Sequence, residues 1–179
     1  QAIAERLAAG AVKLVVGNAV DEATECGPLI RPREVTRVAE WVNEAVAGGG
    51  KALCGGKTLS DTTYAPTVLL DAPATARISK MEIFGPVVSV YGYDKPEEAI
   101  AEANSLPFAF QSAIFSQDIT KAMAWARLLD SSAVMINEHT AFRTDWMPFT
   151  GRRQSGYGIG GIGYTMHDMT QEKMIVLPA

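Results

Sequence analysis

Cysteine, histidine, long apolar runs and surplus positive charge are all scarce in these 179 residues. Each scarcity excludes something. Cys26 and Cys54 are too few for a disulfide framework, and such usage points to a reducing, cytoplasmic setting. His139 and His167 stand far apart, and no metal-ligand spacing surrounds either, so no zinc or iron site is visible. Lys13, Asp71 and Arg77 interrupt the best apolar stretches, well short of the roughly 20 residues that span a bilayer. Sixteen basic against 20 acidic residues leave a net charge of −4, with no basic run longer than Arg152-Arg153, which argues against nucleic acid. The N-terminus, QAIAERLAAG, is amphipathic without the regions of a signal peptide, and it opens as if in mid-helix. That opening suggests a truncated chain.

What is present reads as an ordinary globular protein, with 47% apolar and 20% charged residues. The length fits one domain or one large piece of a bigger one. VKLVVG (12–17), KALC (51–54), TVLL (67–70), VVSVYGY (87–93), SAIFS (112–116), SAVMIN (132–137) and MIVL (174–177) read as strands. Pro32 opens a helix at its first turn, where its missing N–H does no harm. Val35, Val38, Ala39, Val42 and Val46 recur along it at helical spacing until Gly48-Gly49-Gly50 stops the run. Pro96 begins a second helix, and Asp118 caps a third that carries Met123, Trp125, Ala126 and Leu129. Strands separated by amphipathic helices predict an α/β fold with a largely parallel sheet flanked by helices.

The stretch GYGIGGIG (156–163) fits G-x-G-x-x-G twice, through Gly158, Gly160 and Gly163 and through Gly156, Gly158 and Gly161. A dinucleotide fingerprint needs a strand before it, a helix after it and an acidic residue roughly 20 positions on. The polar, proline-containing RTDWMPFTGRRQS precedes Gly156, and only 16 residues follow Gly163. No βαβ unit fits. The glycines instead predict tight backbone around a loop, 138–163, long enough to be functional.

Five segments carry a resemblance: GPLI (27–30), APTVL (65–69), MEIFGPVVSV (81–90), EEAIAEANSLPF (97–108) and MPFTGRRQSGYG (147–158). In this order they resemble the aldehyde dehydrogenase superfamily along nearly the whole chain, and E-I-F-G-P with P-F-x-G-x-x-x-S-G is a specific pair. INEHTAFRTDWMPF and YTMHDMTQEKMIV look most like the phosphonoacetaldehyde and lactaldehyde dehydrogenase branch. The resemblance implies NAD- or NADP-dependent oxidation of an aldehyde to an acid. In the family a cysteine thiolate attacks the aldehyde, hydride passes to nicotinamide, and a glutamate activates water to release the acid. Glu82 matches the position that hydrogen-bonds the nicotinamide ribose, and Phe84 the one beside the nicotinamide ring. A carboxylate can accept from vicinal hydroxyls, and an aromatic ring can shield a hydride path.

The family's nucleophilic cysteine, glutamate base and main cofactor domain match nothing in residues 1–179. Cys54 reads as a small core hydrophobe and Cys26 as incidental. The expectation is therefore the C-terminal part of the catalytic domain over 1–171, inactive alone, with 172–179 as an oligomerisation strand of a homodimer or homotetramer. Phe142, Arg143, Trp146 and Phe149 match the aldehyde channel. Arg143 suits an anionic tail, or else pairs with Asp145 as a plain surface contact. His139 either faces the channel or makes a structural hydrogen bond, and His167 reads as structural. Thr150 replaces a family glycine and Arg153 the usual lysine. Two alternatives stand beside this. A non-catalytic assembly module would lack the cysteine segment in its upstream gene sequence. An acyl-CoA or acyl-phosphate reductase would need CoA or phosphate in its assay.

Overall fold

The computed structural model describes residues 1–178, and the chain folds into two compact units, Gln1–Gly92 and Tyr93–Ala179. In the first, α1 (Ala2–Ala11) precedes a long stretch without regular structure, and then come α2 (Pro32–Ala47), β1 (Lys51–Cys54) and β2 (Thr67–Leu70). A single turn, α3 (Arg77–Lys80), leads to β3 (Val87–Val90). The sheet order is β1-β2-β3, with β1 antiparallel to β2 and β2 parallel to β3 in the register Thr67↔Val87 to Leu70↔Val90. Pro32 stands at the start of α2, where its fixed φ helps and its missing N–H costs nothing.

The buried face of α2 is Val35, Val38, Trp41, Val42 and Ala45. It packs with Leu69 of β2 and with Tyr64, Ala72, Ala76 and Ile78. Each large side chain so buried contributes about 1.5–3 kcal/mol. Val46, expected on that face, is instead 42% exposed, because the stripe drifts toward Trp41 and Ala45. The Tyr64 hydroxyl is buried without a partner among the described residues, and burial raises its pKa.

The run 12–17 is not a strand. Only Val16 forms a bridge, to Cys26, so the β-branched residues find no continuous ladder to join. Cys54 is half-buried at the end of β1, its thiol directed at the Pro66 carbonyl 3.7 Å away, and both cysteines are free.

The second unit holds α4 (Pro96–Asn104), β4 (Phe108–Ala109), β5 (Gln111–Ile114), α5 (Ile119–Leu128), β6 (Ala133–Ile136), β7 (Arg152–Arg153) and α6 (Ile162–Asp168). β5 and β6 run parallel from Gln111↔Ala133 to Ile114↔Ile136, and β4 pairs antiparallel with β7. Asp118 caps α5 by accepting the Lys121 N–H at 3.0 Å. The fully buried residue of α5 is Ala122, whereas Met123 is exposed. The α/β class holds in both units. The segment 174–177 forms no strand, and its four apolar side chains are 75–87% exposed. Among the described residues no helix is long and apolar enough to cross a membrane.

Candidate cofactor and substrate sites

In the first unit, Glu82 and Phe84 lie on the short connection between α3 and β3. Phe84 has φ 42°, a left-handed conformation that costs a bulky residue free energy, yet its ring is 74% exposed. A strained backbone presenting an aromatic ring to the outside does nothing for packing. Glu82 is likewise exposed, and no hydrogen bond or ion pair occupies its carboxylate among the described residues. Both groups are thus available to a ligand: a carboxylate to accept from hydroxyls and a ring to flank a flat heterocycle. An open apolar recess of about 520 Å³ begins just beyond them, at Gly85 and Pro86, and is lined further by Leu7, Leu14, Cys26 and Val88. Neither Glu82 nor Phe84 lines it, so its apolar walls are separate from this pair.

In the second unit, the chain leaves β6 at Asn137, which takes φ 56° and locks the turn with its side chain. Asn137 Oδ1 accepts the Ser116 N–H at 2.8 Å, and its Nδ2 donates to the Ser116 carbonyl at 2.9 Å. The loop returns through Phe149, whose N–H and carbonyl both pair with Gly160 at 2.9 and 2.7 Å. Phe110 braces the Phe149 ring edge-on at 4.9 Å, and the Arg143 guanidinium lies 4.2 Å from its centroid.

Among the described residues no ion pair joins Arg143 to Asp145; the guanidinium lies over the Phe149 ring instead. A cation over a ring face is held by the ring's quadrupole, and among the described residues no hydrogen bond takes the Arg143 N–H donors. Arg143 and Asp145 line a shallow recess of about 480 Å³ with Ile162, Thr165 and Met166. Phe142 and Trp146 belong to the same loop, and Trp146 is 78% exposed. His139 is exposed and lies 3.5 Å from its neighbour Glu138. His167 is exposed at the end of α6, where its carbonyl, not its imidazole, accepts from Thr170.

One glycine of the cluster has a steric explanation. Gly161 precedes α6 as its N-cap at φ 120°, and a Cβ there would meet the Met147 carbonyl oxygen at 2.9 Å. Thr150 donates to the Gly158 carbonyl at 2.7 Å, tying the cluster to the P-F turn. The cluster is not preceded by a βαβ strand but by the two-residue β7. Sequence reasoning noted Arg153 only as a substitution. Here it takes φ 54°, pairs with Asp130 and donates to the carbonyls of Asn104 (2.9 Å) and Leu106, while Arg152 reaches Asp130 at 2.6 Å. Asp130 thus holds both arginines of β7. Its pairing is long-range, and no local spacing signals it.

The chain is thus an α/β protein whose two units each present one exposed cluster, Glu82 with Phe84 in one and Arg143 with its aromatic loop in the other. Comparison narrows it. The profile of the aldehyde dehydrogenase family matches residues 1–175, and the chain belongs to that family. It is 40% identical over 165 residues to a 3-sulfolactaldehyde dehydrogenase of Priestia aryabhattai, covering 92% of this chain and 34% of that protein. With a lactaldehyde dehydrogenase of Methanococcus maripaludis it shares 37% identity over 164 residues, covering 92% and 35%. The structure of a glyceraldehyde-3-phosphate dehydrogenase, GapN, from Methanocaldococcus jannaschii complexed with NADP superposes with a TM-score of 0.86 at 38% identity, covering 92% of this chain and 36% of that one. The chain spans about a third of the length of these relatives. Its fold is that of the corresponding part of aldehyde dehydrogenase structures.

Proposed function

We propose that this chain is part of an NAD- or NADP-dependent aldehyde dehydrogenase that oxidises an aldehyde with an anionic tail, such as phosphonoacetaldehyde, to the carboxylic acid. In that reaction aldehyde, oxidised cofactor and water give acid, reduced cofactor and a proton. The bound cofactor supplies the hydride acceptor. Glu82 accepts hydrogen bonds from its nicotinamide ribose, and Phe84 flanks the ring and keeps water off that face. The exposure of both groups, and the strain spent on presenting Phe84, support this reading. Phe142, Trp146 and Phe149 provide apolar walls for the aldehyde. Neither cysteine of residues 1–179 is assigned as the nucleophile: Cys54 is tied to β1 and Cys26 lines the apolar recess. By itself, residues 1–179 should not oxidise aldehydes.

The observation that carries the substrate class is Arg143, which lies over Phe149 and has no carboxylate partner among the described residues. The names of two similar proteins, for 3-sulfolactaldehyde and glyceraldehyde-3-phosphate, denote anionic aldehydes and agree with it. A charge-assisted hydrogen bond is worth about 1.5–3 kcal/mol, so Arg143→Ala in the complete enzyme should lower kcat/KM about 10–150-fold for an anionic aldehyde. Neutral aldehydes of equal length should lose far less. Equal losses for both would make Arg143 a structural residue and remove the support for an anionic substrate.

Assembly follows from the C-terminal segment. We infer that 172–179 pairs with a sheet of a neighbouring subunit in a homodimer or homotetramer; Ala179 lies outside the described residues. The four exposed apolar side chains of 174–177, unpaired among the described residues, support it.

A further inference from the structure

The connection bearing Glu82 and Phe84 does not stand alone. Helix α2 grips it on both sides of Phe84. Before the ring, Arg37 Nη2 donates to the Ile83 carbonyl at 2.6 Å, across 46 positions of sequence. After it, Gly85 presses on Val38, so closely that a Cβ on residue 85 would meet Val38 Cγ2 at 2.8 Å. Arg37 is itself aimed from two directions. Its Nε donates to Glu34 Oε2 at 2.7 Å one turn earlier, and its guanidinium lies 4.7 Å from the Trp41 ring centroid one turn later. Both members of the ion pair are largely covered, with side chains 26% and 21% exposed.

The Ile83 carbonyl belongs to the peptide plane whose other end is the Phe84 nitrogen. Turning that plane changes φ of Phe84, and left-handed φ is a minor state for a bulky side chain. With nothing holding the carbonyl, the plane would relax toward extended backbone and swing the ring away. We propose that Arg37 is a positioning residue for the cofactor: its hold on the Ile83 carbonyl keeps Glu82 and Phe84 aimed at the nicotinamide end. The inference rests on the reading of Glu82 and Phe84 given above and adds the group that orients them.

The test uses the complete enzyme and four variants. Arg37→Met keeps an apolar stem against Trp41 and removes the donors. Arg37→Lys keeps the charge and one donor group. Arg77→Met is the control, because Arg77 lies over the same Trp41 at 5.7 Å and pairs with Glu44, while among the described residues its side chain makes no hydrogen bond to residues 82–85. Glu82→Gln checks the underlying site. Cofactor KM, aldehyde KM, kcat and thermal midpoint are measured for each. Arg37→Met should raise cofactor KM roughly 10-fold, as loss of one charge-assisted hydrogen bond implies, and leave aldehyde KM within about twofold. Arg37→Lys should recover part of that loss, and Arg77→Met should lower the midpoint while leaving cofactor KM unchanged. Equal rises in cofactor KM for Arg37→Met and Arg77→Met would overturn the proposal, since general loosening would then explain both. A normal cofactor KM in Arg37→Met beside a raised one in Glu82→Gln would overturn it too, leaving the site reading intact. Normal values in both would remove the site reading and the proposal together. Should Arg37→Met fail to fold, Glu34→Gln replaces it, since it leaves the guanidinium on Trp41 but slackens its aim. A cofactor KM raised several-fold there supports the proposal, and an unchanged one overturns it.

Discussion

Phe84 combines a left-handed backbone, φ 42°, with a ring that is 74% exposed, so its contributions to stability and to activity can be separated by substitution. Phe84→Ala and Phe84→Gly remove the same ring and lose the same small amount of burial. They differ in the backbone. Alanine still meets the left-handed penalty of about 1–2 kcal/mol, whereas glycine does not. Glycine gives back about 0.5–1 kcal/mol through the freedom of its unfolded chain. The glycine variant should therefore be about 0.5–1 kcal/mol more stable than the alanine variant, which is roughly 1–4 °C in melting midpoint for a chain of this size. Activity should not follow stability. An aromatic contact is worth about 0.5–1.5 kcal/mol beyond its area, so both variants should lose about 2–12-fold in kcat/KM for the cofactor. Thermal melts and initial-rate measurements on the three proteins decide the matter. An alanine variant about 0.5–1 kcal/mol more stable than the glycine variant, the full entropic cost of glycine, would mean that the backbone stores no strain. Wild-type kinetics in either variant would mean that the ring touches no cofactor.

Deleting residues 172–179 should convert a dimer or tetramer to monomer or aggregate by light scattering, because 174–177 is apolar, exposed and unpaired among the described residues; an unchanged oligomer would rule out the assembly role. Acid should destabilise the protein through three carboxylates held below their ordinary pKa. The Arg37 hydrogen bond lowers Glu34, the Arg77 N–H lowers Glu44 and the Lys121 N–H lowers Asp118. A depressed folded pKa gives stability that is present above the unfolded value, near 4, and lost as pH falls through the folded one. Asp118→Asn keeps a good helix cap but no longer titrates, so its melting midpoint should fall less steeply than wild type between about pH 5 and pH 3; parallel curves would contradict this.

What the sequence determined by itself is local. Pro32 and the apolar spacing after it specify α2, Asp118 specifies the start of α5, and the mixture of short apolar runs with amphipathic helices specifies the α/β class. E-I-F-G-P and P-F-T-G pointed to the residues at both candidate sites without any contact being known. Strand formation was legible only where a partner exists. KALC, TVLL and SAVMIN find ladders, while the equally β-branched 12–17 finds one bridge and MIVL finds none in its own chain. Composition sets the propensity for a strand, but the hydrogen bonds come from another segment, and its place is a property of the whole fold. The same holds for the cations. Arg143 had a carboxylate two residues away and an aromatic ring six away, and tertiary structure put it on the ring. Arg37 reaches a carbonyl 46 positions away, and Asp130 gathers two arginines from a strand more than 20 residues on. A guanidinium on a flexible stem can satisfy many partners, so only packing decides which one it meets.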